Sequence, residues 1–109
     1  MKKDKNTRLC NLLKQIISQY VSIEANSFPL ITITRVELSG KSHRAIVFFT
    51  TIPNEKENDA LIFMKRQGSK VRNFLKKNAS LKHIPHLDFM IDAGERHRQH
   101  IDKLIQENN

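Results

Sequence analysis

Apolar residues recur at intervals of three and four positions near the start of the chain, a spacing that draws one stripe along a helix. The stripe consists of Leu9, Leu12, Leu13, Ile16, Ile17, Tyr20 and Val21. It predicts a first helix over about residues 6–25, with Asp4 or Asn6 as its cap. We expect this helix to end before Pro29, because the residue that precedes a proline is pushed out of helical geometry.

Two segments after this helix have the composition of β-strands. In residues 31–39 the apolar alternation changes phase, since Ile31 and Ile33 share one parity while Val36 and Leu38 share the other. A bulge near Thr34 would bring both pairs to one face. Residues 39–42 are turn formers, and residues 44–51 are largely apolar on both faces. The pattern predicts an antiparallel hairpin whose second strand is central in the sheet.

Residues 54–78 are predicted to form two helices in near succession. Asn54, followed by Glu57 three residues later, resembles a capping box at the start of the first. One arc of the helical wheel is apolar, with Ala60, Leu61, Phe63, Met64, Val71, Phe74 and Leu75. The opposite arc is cationic, with Lys65, Arg66, Lys70, Arg72, Lys76 and Lys77. Because glycine and serine weaken a helix interior, we expect helices at 54–67 and 70–78. The predicted kink consists of Gln67, Gly68 and Ser69.

A third strand is predicted where apolar and polar residues alternate over residues 86–91, after Pro85. The tail from residue 95 has apolar residues at helical spacing, which predicts a short or frayed helix.

A chain of 109 residues has room for one domain. We expect that domain to span residues 1–109, with a core over about 6–92 and a tail at 93–109. The predicted class is α+β, in the order helix-strand-strand-helix-kink-helix-strand, with the helices on one face of a three-stranded sheet. This order is the plan of a type II KH-like domain.

The charge distribution adds a candidate function to this fold. No acidic residue lies between Asp59 and Asp88, whereas that stretch holds the six cations of the helical arc and Lys82, and the formal net charge of the chain is +8. A patch of one sign attracts a polyanion, and nucleic acid is the first candidate. A cationic helix face also suits an acidic protein partner, so a protein-interaction module without a catalytic role remains the alternative.

The sequence contains no recognisable motif for catalysis or for metal binding. His83 and His86 lie close to each other, as do His97 and His100, but neither an HExxH motif nor paired CxxC motifs accompany them. The three glycines are scattered and form no phosphate-binding loop. We therefore expect no enzyme, no metal and no cofactor, and we rank an RNA-cleaving or RNA-modifying enzyme that uses the histidines last.

The single cysteine and the absence of long apolar runs bear on location. Cys10 has no intramolecular disulfide partner, which fits a reducing cytoplasm, and its place at helical spacing suggests a position in or near the core. No run approaches the roughly 18 apolar residues of a membrane span. We expect a soluble, cytoplasmic monomer that contacts neither a membrane nor a small-molecule substrate.

Three segments carry a resemblance to a known family. Residues 30–40 (LITITRVELSG), 81–92 (LKHIPHLDFMID) and 101–104 (IDKL) resemble the bacterial ribosome-binding factor A family, and the resemblance spans roughly residues 9–104. It implies an RNA-binding assembly factor, not an enzyme, whose partners are the immature small (30S) ribosomal subunit and its 16S rRNA. Such a factor assists late maturation and processing near the 5′-terminal helix of that rRNA and matters most in the cold.

The resemblance also bears on the predicted kink. In the family an Ala-x-Gly signature marks a helix-kink-helix that replaces the GxxG loop of KH domains. The matching positions here are Gln67, Gly68 and Ser69, so the chain departs from that signature. Long cationic side chains that flank a kink can contact phosphates with little sequence readout. The RNA-binding residues we expect are Lys65, Arg66, Lys70, Arg72, Lys76 and Lys77.

Overall fold

A computed structural model describes residues 2–24, 30–39, 43–52 and 54–95, with side chains from Thr7 onward in the first range and from Ile31 onward in the second. Within these ranges three α-helices and three strands form in the predicted order, with a short 3-10 turn before the second helix. They are α1 (Lys2–Glu24), β1 (Leu30–Ser39), β2 (Arg44–Ile52), a 3-10 turn (Asn54–Lys56), α2 (Glu57–Arg66), α3 (Gly68–Asn78) and β3 (His86–Ile91). The predicted α+β class is confirmed.

The three strands form one sheet in the order β1-β2-β3. β1 and β2 are antiparallel, whereas β2 and β3 are parallel. The register of β1 and β2 shifts between Ile33 and Arg35, which leaves Thr34 as the extra residue of a bulge. The shift places Val36 on the same face as Ile33 and turns Arg35 to the other face. Both the bulge and the central position of β2 were predicted from the change of phase and the apolar faces.

The helices cover one face of this sheet, and the core lies between the two layers. The largest fully buried side chains come from every layer. They are Phe49, Leu13, Ile17, Met64, Leu75, Val47, Val71 and Thr51. Cys10 is partly buried against this core, as its spacing predicted. The core follows directly from the stripe on α1, the apolar arc of α2 and α3, and the alternating positions of the strands.

Two predicted helix starts are wrong. α1 begins at Lys2, so the expected caps Asp4 and Asn6 lie inside the helix, because nothing in this polar lead breaks helical geometry. The capping box also does not form, since Asn54 lies in the 3-10 turn and α2 begins at Glu57 without a side-chain hydrogen bond at its N-cap, Lys56. Glu57 is instead buried at 8% exposure.

The break between the two later helices is shorter than predicted. α2 ends at Arg66 and α3 begins at Gly68, so Gln67 alone separates them, and Gly68 and Ser69 belong to α3. The region from residue 96 to the end, which holds most of the predicted tail helix, lies outside the described residues, as do the turn residues 40–42 and the residues 25–29. Among the described helices, none combines the length and apolar character that a bilayer crossing requires.

Candidate nucleic-acid interface

Six cations lie along the solvent side of α2 and α3, and together they form what we name the basic ridge. Its members are Lys65, Arg66, Lys70, Arg72, Lys76 and Lys77, and all six are exposed. The opposite side of the same two helices is buried, with Ala60, Met64, Val71 and Leu75 at 0% exposure. The two arcs predicted from the sequence are therefore separated in the structure, with one in the core and the other in water.

The charge of the basic ridge is not neutralised within the described part of the chain. The ion pairs found there use Arg35, Arg44, Lys56 and His86, and none uses a cation of the ridge. Arg72 does have a partner, since its Nη2 donates a hydrogen bond to the carbonyl oxygen of Ile84 at 3.2 Å. That bond orients the guanidinium without cancelling its charge, which leaves the ridge available to a polyanion.

The break at Gln67 is a local loosening of an almost continuous helix. The Gln67 N–H donates to the carbonyl oxygens of Phe63 at 3.0 Å and Met64 at 3.1 Å, and the Gln67 carbonyl accepts from the Val71 N–H at 2.8 Å. Its backbone angles, φ −85° and ψ −1°, stay near the helical region. The basic ridge thus continues across the break with its cations on the same side.

Tyr20 of α1 connects the break to the rest of the fold. Its hydroxyl donates a hydrogen bond to Oε1 of Gln67 at 2.6 Å, and its ring meets Phe74 edge to face at 5.4 Å between centroids. Burial raises the pKa of the Tyr20 phenol and the charge of Glu24 raises it further, so the hydroxyl remains a donor at neutral pH. Sequence reasoning assigned Tyr20 to the apolar stripe and missed this bond, although a buried tyrosine hydroxyl usually requires a partner.

Gly68 is not required by the local geometry. A Cβ at this position would meet no atom within 4 Å, and the residue does not have the positive φ that favours glycine. Gly68 is the first residue of α3, so the break lies at Gln67, one residue before the glycine. Gln67 and Gly68 are partly buried, and Ser69 is exposed.

A groove runs between the break and β3. Its volume is about 590 Å³. The helices contribute Lys65, Gly68, Ser69 and Arg72 to its lining, and the sheet contributes Ile46, His86, Leu87, Asp88, Phe89 and Met90. Sequence reasoning missed this groove, because the residues come from four elements and only the strand order brings them together.

The open face of the sheet carries a separate polar cluster around the bulge. The guanidinium of Arg35 lies over the Phe48 ring at 4.0 Å from its centroid, and its Nη1 contacts Glu37 Oε1 at 2.6 Å. Nε of Arg35 lies 3.4 Å from Oδ2 of Asp92. Arg35 is thus a residue of the sheet face, and it takes no part in the basic ridge.

Asp92 is the buried centre of that cluster. It accepts hydrogen bonds from the Thr34 hydroxyl at 2.5 Å and from the Glu95 N–H at 3.0 Å. Burial by itself raises the pKa of this carboxyl, but the two hydrogen bonds and the charge of Arg35 outweigh it, so the pKa lies below its ordinary value. Asp92 is therefore ionised at neutral pH, and its hydrogen bonds connect β1 to the end of β3.

The histidines do not assemble a metal site in the described ranges, where no three side chains of the ligating types come together. His86 Nε2 lies 3.6 Å from Asp88 Oδ1, and both side chains are on the open face of the sheet. His97 and His100 lie outside the described residues. The described residues therefore offer the basic ridge and the groove, not a metal centre, as candidate sites.

Three helices on one face of a β1-β2-β3 sheet, two of them joined end to end beneath exposed cations, define an α+β domain of the KH-like class. The model of the family "Ribosome-binding factor A" matches residues 5–105, and the chain belongs to that family.

Individual members of the family are similar to this chain. It is 37% identical over 101 residues to ribosome-binding factor A of Natranaerobius thermophilus. The aligned region covers 89% of this chain and 76% of that protein. It is 30% identical over 109 residues to the Desulfitobacterium hafniense protein, with 97% and 87% covered. The crystal structure of ribosome-binding factor A from Thermus thermophilus has the same fold, with a TM-score of 0.71 at 20% identity over 79% of this chain and 94% of that one.

Proposed function

We propose that this protein is an RNA-binding assembly factor that binds the immature small (30S) ribosomal subunit and assists late maturation of its 16S rRNA near the 5′-terminal helix. The observation that carries the proposal is the basic ridge, whose six exposed cations have no acidic partner in the described ranges. Family membership supports the ribosome as the partner, because the relatives are named as ribosome-binding factors. The site of action would be the cytoplasm.

The proposed mechanism is passive and needs no covalent step or cofactor. The basic ridge contacts phosphates on both sides of the Gln67 break, which gives affinity with little reading of base sequence. A protein that binds one RNA conformation better than another shifts the population toward the first by the difference in binding free energy. The factor would favour one productive conformation of the immature rRNA and dissociate when the mature conformation no longer fits the ridge.

Cold should increase the need for such a factor. RNA helices that are paired wrongly open more slowly at low temperature, so a protein that stabilises one productive conformation has more effect. A strain that lacks the protein is expected to accumulate free small subunits with unprocessed 16S rRNA, and more of them in the cold than at its growth optimum.

The salt dependence of binding tests the phosphate contacts directly. If about five cations of the ridge touch phosphates, the slope of log affinity for purified immature small subunits against log salt should lie near −3.5 to −4.5. Substitution of Arg66 by alanine should make the slope shallower by about 0.7 to 0.9. A slope near zero would contradict the proposal.

Protein-free 16S rRNA distinguishes this function from that of a module for acidic proteins. When the free rRNA is added as a competitor, it should displace the protein from the subunit. The concentration of rRNA needed should be similar to the concentration of intact subunits needed for the same displacement. If only intact subunits compete, the basic ridge binds a ribosomal protein and RNA binding is incidental.

A further inference from the structure

β3 is an edge strand within the described part of the chain, because the sheet order is β1-β2-β3. The His86 N–H donates to the His43 carbonyl and the Asp92 N–H donates to the Phe49 carbonyl, each at 2.8 Å. Even-numbered residues of β3 therefore turn their main chain toward β2. Since main-chain direction alternates along a strand, the N–H and C=O groups of Leu87 and Phe89 point away from the sheet.

These outward groups open into the groove beside the Gln67 break. Leu87 and Phe89 both line it, although their exposures are only 7% and 4%. Their side chains pack in the core, so the part of each residue that the groove reaches is its main chain. An unpaired strand edge of this kind is a template for pairing with another extended chain.

The groove has two walls of different chemistry, one on each side of the β3 edge. The wall on the helix side carries Lys65, Arg72 and the hydroxyl of Ser69. The wall on the open face of the sheet carries Ile46 and Met90, and Met90 is 50% exposed.

An acid also limits what the wall on the open face can accept. Asp88 lies there, where it pairs with Arg44 Nε at 3.1 Å. A second carboxylate or a phosphate placed on that side would meet this charge. Anionic groups of a ligand are therefore favoured on the helix side, where Lys65 and Arg72 have no acidic partner among the described residues.

We propose that the β3 edge binds an extended segment of a partner protein, which adds to the sheet as a fourth strand with acidic and apolar side chains in alternation. Side chains of a strand point to opposite faces with a period of two. One set would contact Lys65 and Arg72, and the other would pack on Ile46 and Met90, while the backbone pairs with Leu87 and Phe89. This is a protein-binding function, distinct from the phosphate contacts of the basic ridge, although the two sites share Lys65 and Arg72.

A single-stranded nucleic acid fits this groove less well. Sites for unpaired nucleotides combine cations with aromatic faces on which bases stack. Of the two ring-bearing residues of the lining, Phe89 is buried, so only the exposed imidazole of His86 is left, and one ring offers no series of faces for successive bases. One wall carries cations and the other carries apolar side chains, which matches the alternation of a peptide, whereas a nucleic acid carries a charge on every unit of one backbone.

Peptide binding to the full chain tests this inference without the ribosome. The probe is an acetylated and amidated heptapeptide in which glutamate and valine alternate, and the control peptide has the same composition with its glutamates in one block. Amide exchange followed by NMR should show protection of the Leu87 and Phe89 N–H groups by the alternating peptide only. Methylation of the peptide nitrogens that face β3 should weaken binding about tenfold or more, as expected when strand pairing is lost.

Matched protein variants test the two walls. Lys65→Glu and Met90→Glu should each weaken peptide binding by about fivefold or more, an effect on the order of 1 kcal/mol. The controls Lys14→Glu and Ile62→Glu make the same changes at exposed positions outside the groove and should bind normally.

Two outcomes would overturn the inference. One is equal binding of the alternating and block peptides, or binding without protection of the Leu87 and Phe89 amides. The other is protection of those two amides by an oligouridylate but not by the peptide, which would assign the β3 edge to RNA. Neither outcome affects the salt dependence predicted for the basic ridge, so the two proposals fail separately.

Discussion

At the scale of single residues, the bulge in β1 joins the two edges of the sheet. Thr34 is the extra residue of the bulge, and its hydroxyl reaches Asp92, which follows β3. Arg35 is the next residue, and its guanidinium lies over the ring of Phe48 in the central strand. Its Nε also lies near the Asp92 carboxylate. A buried carboxylate is stable only when its partners replace the hydration it loses. The cluster therefore couples the conformation of β1 to the end of β3.

Asp92→Asn should show this coupling as a pH-dependent loss of stability. The folded-state pKa of Asp92 lies below its ordinary value of 3.8. Its stabilisation is therefore complete above the unfolded-state pKa and is lost as the pH falls through the folded-state pKa. Urea unfolding at pH 7 should give a deficit of about 1.5–3 kcal/mol for the variant, the range for hydrogen bonds to charged groups. The deficit should shrink toward pH 2, and a deficit that is the same at both pH values would contradict the account.

The Tyr20–Gln67 bond offers a second test at this scale. Tyr20→Phe keeps the ring against Phe74 and removes only the hydroxyl, so it should cost about 1 kcal/mol of unfolding free energy. Gln67→Ala places alanine where the family signature has it. In a double-mutant cycle the two substitutions should couple by about 1 kcal/mol, because both remove the same bond. Additive effects would show that the bond contributes nothing in solution.

At the scale of elements, α2 and α3 act as one long cationic surface interrupted at a single residue. The break loosens the helix at Gln67 without turning the cations away from each other. Gly68 is the first residue of α3. A Cβ added there would meet no atom within 4 Å, and the backbone angles at this position are ones that any residue can adopt. Glycine at this position therefore weakens the helix without shaping the break.

Gly68→Ala should consequently stabilise the fold. Alanine loses less conformational entropy on folding and meets no atom here, so the unfolding free energy should rise by about 0.4–1 kcal/mol. Thermal and urea unfolding of the variant and the wild type measure the difference. A destabilised variant would mean that the break requires a backbone conformation which only glycine adopts readily.

How much of these elements the sequence predicts depends on whether the signal is periodic. The phase change around Thr34 predicted the bulge, and the two arcs of residues 60–77 predicted both the core side and the basic ridge, because burial imposes a regular spacing. The predicted start of α2 and the predicted extent of the break were wrong, because a helix end depends on single residues and not on a repeating pattern. The Tyr20–Gln67 bond and the groove beside β3 depend on residues distant in sequence, which no local pattern contains.

At the scale of the whole molecule, two surfaces with different chemistry lie side by side. The basic ridge faces solvent along α2 and α3, and the β3 edge lies beside it across the groove. Lys65 and Arg72 belong to both surfaces, so occupation of the groove by an acidic segment would remove cations from the proposed RNA site. If both proposals hold, the factor contacts rRNA and a protein segment from adjoining surfaces.

The measurement that tests the central claim most directly is the sedimentation of cell extract through a sucrose gradient. The chain, its Lys70→Glu/Lys77→Glu variant and its Arg8→Glu/Lys14→Glu variant are compared, because both variants change the same number of exposed cations and only the first alters the basic ridge. We predict that the wild type and the α1 variant sediment with free small subunits and not with translating ribosomes, while the ridge variant stays at the top. A folded ridge variant that still sediments with small subunits would contradict the account.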